Sequence, residues 1–213
     1  DNRDPRMKYT IVCNEMKWPV DPVEIWEGGT NGLPLQNATT TGYYLKKYVN
    51  NTTSFEAGST VTKKQHNWVL FRYGEILLNY AEAMINAFHD PNYKDAVYNM
   101  SAREAVNQIR GRTNISLPGF PSDITEKDFV KRLKNERRVE LAFEGHRFWD
   151  VRRWKELGQT ANIYGVKITK NNEVISYEKF LLETRAVTDN MYFYPIPNTE
   201  RFKNPNLGQN PGW

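Results

Sequence analysis

Glu136, Glu140 and Glu144 stand four residues apart in ERRVELAFEGHRFWDVRRW, residues 136–154, among paired arginines, a histidine, a glycine and four large aromatics. Carboxylates at that spacing share one face of a helix, with Cβ atoms about 5–6 Å apart. That is near the ~5–5.5 Å carboxyl separation of a retaining glycosidase. A catalytic acid needs a raised pKa, however, and neighbouring arginines lower it. Arg132 lies four residues before Glu136, Arg137 three before Glu140, and Arg147 three after Glu144. Three like charges in a row repel on an isolated helix. Laced with those arginines, the set Arg132, Glu136, Arg137, Glu140, Glu144 and Arg147 reads as a structural ion-pair brace rather than an acid–base pair. Phe143, Phe148, Trp149 and Trp154 are expected to supply the burial. A nucleic-acid patch fits less well, because the acids cancel most of the basic field.

No other constellation carries chemistry. His66, His89 and His146 are scattered, with no carboxylate or cysteine at metal-ligand spacing, so neither a metal site nor a cofactor is expected. Glu27-Gly28-Gly29 reads as a turn and not as a phosphate loop. Cys13 is the single cysteine, which excludes a disulfide within the chain. It has no sequence-supported base and is expected buried and inert. Bulky Val12 stands before it and no long apolar signal region precedes it, which argues against a lipid anchor at that point. The 29 basic and 25 acidic residues leave a net charge of +4, a balance unlike that of a dedicated nucleic-acid binder. The longest apolar run falls far short of the ~20 residues of a membrane span.

The elements that would position these groups are mainly helical. A short strand is expected from Lys8 to Cys13, then a long loop over 18–42 with Trp18 and Trp26 among prolines and glycines. Residues 43–50 read as extended, and the polar stretch 50–60 as exposed. Over 71–88, Tyr73, Ile76, Leu77, Tyr80, Ala81, Met84 and Phe88 recur at three- and four-residue spacing, predicting a helix stopped by Asp90-Pro91. Ser101 and Glu104 form a capping-box signature for a second helix with Ala102, Ala105, Val106 and Ile109 on its apolar face. A third helical region spans 121–158, capped by Thr125 and stopped by Gly158. Gly145 is expected to kink or break it, with Asp150 capping the final piece. A hairpin over 163–177 turns at Asn171-Asn172. The proline-rich end is expected to run extended over the surface or to tie two elements together.

Four ordered segments, FRYGEILLNYAEAM, NQIRGRT, NERRVELAFEGHRFWDVRRW and YFYPIPNTERFKNPNLGQNPGW, resemble the C-terminal half of SusD/RagB-type lipoproteins, and DPRMKYTIV and GYYLKKYVN fit the segments before it. The resemblance covers essentially the whole chain, taken as one domain, 1–213. It implies a SusD-like, mainly α fold with tetratricopeptide-like helix pairs, long irregular loops and a few short hairpins. It also implies a non-catalytic protein that binds oligosaccharides on the outer membrane surface and delivers them to a SusC-like TonB-dependent transporter. Such a protein touches the membrane only through an upstream lipid anchor. The opening DNRDPRMKYT has no initiator Met and reads as the interior of a longer protein. The chain's own N-terminal half is then an expected partner. The same fold binding peptides, or acting as a helical interaction scaffold, are the rival readings.

Sugar rings present apolar C–H faces ringed by hydroxyls, which suit aromatic platforms flanked by planar polar groups. On residue types, the 18–42 loop and its edge offer Trp18, Asp21, Trp26, Asn31, Gln36 and Tyr43 as ligand contacts.

Overall fold

In a computed structural model of the chain, residues 3–53 and 60–213 are described. The six residues 54–59 of the polar stretch expected to be exposed lie outside the described residues. In chain order, α1 (Met7–Thr10) leads into β1 (Ile11–Val12), which pairs with β2 (Tyr44–Leu45). Then come α2 (Tyr73–Phe88), α3 (Ala102–Arg110), α4 (Glu126–Glu140) and α5 (His146–Arg153). A hairpin of β3 (Asn162–Asn171) and β4 (Val174–Thr184) follows, and α6 (Asn198–Lys203) closes the list of regular elements. The described residues are mainly helical, with two small two-stranded sheets. The stretch from Lys8 is a helical turn before a two-residue strand, where a single strand was expected.

The chain forms two compact units: Asp1–Ile11 with Leu45–His146, and Val12–Tyr44 with Arg147–Trp213. In the first, α2 packs on α3 and α4. Leu77, Leu78, Ala81, Met84 and Ile85 of α2 meet Ala105, Val106 and Ile109 of α3 and Phe129 and Leu133 of α4 in one core. This face is rotated from the one read in the sequence. Tyr73 and Ile76 stay exposed, and Tyr80 is half-buried with its hydroxyl donating to the Met100 carbonyl at 2.5 Å. Helix α2 is apolar on two sides, so periodicity alone does not select which side meets α3 and α4. Its last residue is followed by His89 in the left-handed region, φ 56°.

The helix starts follow the local signals. Ser101 Oγ accepts from the Glu104 amide at 3.1 Å, and the Glu104 carboxylate accepts from the Ser101 amide at 2.9 Å, a complete capping box. Thr125 Oγ1 accepts from the Asp128 amide at 3.2 Å. The break near Gly145 begins earlier than its glycine. Helix α4 ends at Glu140, and residues 141–145 turn, with Phe143 at φ 62° and Gly145 at φ 82°. A Cβ at Gly145 would meet nothing within 4 Å, so conformation and not space calls for glycine there. Asp150 does not cap α5. It lies buried inside the helix and accepts from Arg153 Nε at 2.9 Å.

The second unit gathers Val12, Val23, Ile25 and Ile168 into a small core. Strands β3 and β4 are antiparallel, with Asn171 opposite Val174, so the turn is Asn172-Glu173, one residue beyond the expected position. Gly42 lies at φ 80°, and a Cβ there would stand 2.4 Å from the Val166 carbonyl oxygen, so only glycine lets the loop approach β3. The proline-rich end is tied down by side-chain amides. Gln209 accepts from the Ile196 amide at 2.7 Å and donates to its carbonyl at 3.0 Å, and Asn210 donates to the Tyr194 carbonyl at 2.6 Å.

Candidate functional site

The glutamates of the 136–154 stretch are joined by cations from far along the chain. Arg6 donates through Nη1 to Glu136 at 2.5 Å and to Glu140 at 2.9 Å, and grips Asp4 with Nε and Nη2. Arg110 donates to the second oxygen of Glu136 at 2.6 Å. Arg72 forks over both remaining acids, with Nη1 to Glu140 at 2.7 Å and Nε to Glu144 at 2.6 Å. Arg112 reaches Glu140 at 2.7 Å and Lys47 reaches Glu144 at 2.6 Å. The Glu136 and Glu140 side chains are each only 3% exposed.

This network replaces the local lacing expected from sequence spacing. Glu144 is not on the helix with Glu136 and Glu140. The turn at 141–145 carries it round to the Arg72 guanidinium. Arg132 lies over the Phe120 ring at 5.9 Å, Arg137 is buried and donates to Asn79 Oδ1 at 2.6 Å, and Arg147 donates to Gln159 at 3.2 Å. Nor do the nearby aromatics supply burial, since Phe143, Phe148 and Trp149 are exposed.

The electrostatics exclude an acid–base pair. Burial alone would raise the Glu140 carboxyl, but hydrogen bonds from Arg72, Arg6 and Arg112 outweigh it and hold the pKa at about 2. Burial and then the Arg72 and Lys47 contacts act on Glu144 in the same opposed senses, and its pKa is lowered too. Both carboxylates are thus held as anions. Arg6 and Arg72 are correspondingly harder to deprotonate than free arginine, because the carboxylates outweigh the cost of burial. Among the described residues no group of three or more His, Cys, Asp or Glu could hold a metal ion.

The cluster forms part of the walls of two clefts in the first unit. One, of about 360 Å³, is lined by Arg6, Tyr9, Tyr48, Arg112 and Ile115. The other, of about 500 Å³, is lined by Tyr48, His66, Trp68, Phe71, Glu75, Phe143 and His146. Arg72 and Glu144 belong to both. Trp68 and Glu75 were not singled out in the sequence, and His146 only as one of three scattered histidines. The only signal was HNWVLFR, residues 66–72, a histidine and two aromatics crowded before a helix start.

The six loop residues expected at a ligand are mostly engaged in folding the second unit. Trp18 and Trp26 are half-buried against its core, and Lys170 Nζ lies 4.7 Å over the Trp26 ring. Asn31 Oδ1 accepts from the Glu24 amide at 3.1 Å, and the Tyr44 hydroxyl donates to the Asn31 carbonyl at 2.6 Å. Tyr43 is half-buried and its carbonyl accepts from Thr39 Oγ1 at 2.8 Å. Asp21 and Gln36 are exposed.

Asp4 and Arg6, Lys47, Arg72, Arg110 and Arg112, and the three glutamates come from five of the six segments that carry the SusD/RagB resemblance. A model of the SusD family matches residues 1–213. The chain belongs to the SusD family. It is 29% identical over 163 residues to SusD-like protein P2 of Formosa agariphila, covering 74% of this chain and 28% of that protein. It is 37% identical over 150 residues to SusD-like protein P38 of the same organism, covering 68% and 24%. The crystal structure of a SusD-like protein from Bacteroides fragilis matches with a TM-score of 0.79 at 27% identity, over 100% of this chain and 40% of that one. The chain therefore spans about a quarter of the length of the first two relatives and 40% of the third. SusD family proteins are non-catalytic binding proteins. No helix among the described residues is long and apolar enough to cross a membrane.

Proposed function

We propose that the chain is the C-terminal part of a surface-exposed outer-membrane lipoprotein that binds oligosaccharides and passes them to a SusC-like TonB-dependent transporter. Membership of the SusD family over residues 1–213 is the observation that carries this reading. The structure adds support of a physical kind. Glu140 and Glu144 are held ionised in a cluster of arginines and a lysine, which suits a scaffold and not hydrolysis. Rigid aromatics stand exposed beside polar groups, as sugar recognition requires. The remaining length of a SusD-like protein, with its helical repeats and lipid anchor, would be the intramolecular partner of this part.

Calorimetric titration of the full-length protein with neutral hexasaccharides, uronic-acid oligomers and short peptides tests this. Saturable binding to one oligosaccharide class, together with co-purification of a TonB-dependent transporter from outer membranes, is the expected result. Saturable binding to peptides alone would overturn the glycan reading while leaving the fold and family intact.

A further inference from the structure

We infer that the 500 Å³ cleft of the first unit is a subsite for a neutral oligosaccharide, with Trp68 as its stacking platform and Glu75 as its hydroxyl-binding anchor. This rests on the proposed glycan-binding function and goes beyond it by naming where the sugar is held and what charge it carries.

The apolar side of the cleft is large. Trp68 is 84% exposed and Phe71 76%, with Tyr48 and Phe143 also open to solvent. His66 meets the edge of Tyr48 at 4.9 Å between ring centres. Exposed apolar surface on this scale has an occupant. A segment of protein could cover it, but the polar side of the cleft argues for something richer in hydroxyls. Glu75 is only 7% exposed, yet among the described residues its sole side-chain partner is His146 Nε2, 3.5 Å away. A carboxylate can accept several hydrogen bonds, and here none is made at good distance. A purely apolar partner would seal those oxygens away from water without replacing their hydrogen bonds, which is costly. A sugar answers both sides at once, with its C–H face on Trp68 and its hydroxyls donating to Glu75 and exchanging bonds with His146. The cleft's volume lies within the about 300–1,000 Å³ usual for ligand sites.

The lining also sets charge. Arg72 is its one obligate cation, already taken up by Glu140 and Glu144, and Glu75 and Glu144 are its carboxylates. Glu75 would repel a uronate or sulfate group brought beside it. The cleft is therefore selective for neutral sugars.

The test uses the full-length protein and calorimetry against neutral hexasaccharides of glucose, mannose, galactose and xylose, and against their uronic-acid counterparts. For the neutral sugar that binds best, Trp68→Ala should weaken binding about tenfold or more. Glu75→Gln should weaken it by a similar factor and narrow the preference for the neutral over the acidic sugar. Melting temperatures should match the parent protein. If a neutral sugar binds and both variants keep affinity within twofold, the subsite is wrong while the glycan-binding function stands. If Trp68→Ala leaves affinity unchanged but lowers the melting temperature by several degrees, the face is covered by protein and the inference fails. If the parent protein binds no oligosaccharide, both the function and the subsite fall.

Discussion

Removing Glu140 should cost the protein about 3 kcal/mol of stability. The carboxylate is 3% exposed and accepts from three arginines, Arg72, Arg6 and Arg112. Breaking a buried charged pair by deleting one partner costs about 3–5 kcal/mol, because the other charge is left uncompensated. The low end applies here. Arg6 keeps Asp4 and Glu136, Arg72 keeps Glu144, and Arg112 is exposed enough to regain water. A second route gives a similar figure. The carboxyl is held at about 2 against an ordinary 4.5, and each tenfold change in proton affinity is worth about 1.4 kcal/mol, which amounts to about 3 kcal/mol. Urea unfolding of the full-length protein, read by circular dichroism with Glu140→Ala beside the parent, measures it. The midpoint should fall with the slope unchanged. Glu140→Gln, which keeps the shape and removes the charge, should lose a comparable amount. A loss below about 1 kcal/mol in both variants would show that the cluster is solvated decoration and does not hold α4 to the segments around Arg6 and Arg72.

The same linkage fixes a pH dependence. Because the folded carboxyl titrates below the unfolded one, its contribution is present in full above about pH 5 and is lost as pH falls from about 4.5 towards 2. Stability curves of the parent and Glu140→Gln should converge over that window. Curves that stay parallel down to pH 2 would contradict the assigned cause. Trp26→Ala should lower stability by about 2 kcal/mol, roughly half the value for a fully buried Trp, and leave sugar affinity within twofold, since the ring is packed on the core of the second unit. A large affinity loss without a stability loss would return the loop to the ligand.

Local signals were legible in the chain. Ser101 with Glu104, Thr125 with Asp128, and the Asn-rich hairpin turn each act within three or four residues, and sequence spacing carries that information. The cluster was only half legible. Its acids stood out at four-residue spacing, but its cations lie up to 134 positions away in the chain. Nothing in the spacing of Arg6 or Arg72 pairs them with Glu140, and the nearby arginines offered a local solution, which the turn at 141–145 removes for Glu144. The face of α2 was misread for a related reason. A helix apolar on two sides has no single stripe, and only its packing against α3 and α4 selects Leu78 and Ile85 over Tyr73 and Ile76. The loop tryptophans were named as ligand contacts on residue type, and tryptophan in a proline-rich loop can either pin the loop or present a ring. In the structure Trp18 and Trp26 both pack against the core around Val23 and Ile168.

The most direct measurement titrates the full-length protein with its best neutral hexasaccharide and then recovers the sugar for mass analysis after prolonged incubation. The account predicts saturable binding, affinity reduced by Trp68→Ala and by Glu75→Gln, and a sugar recovered intact. A sugar recovered cleaved, or the absence of saturable binding to any oligosaccharide by a protein that melts cooperatively, would contradict it.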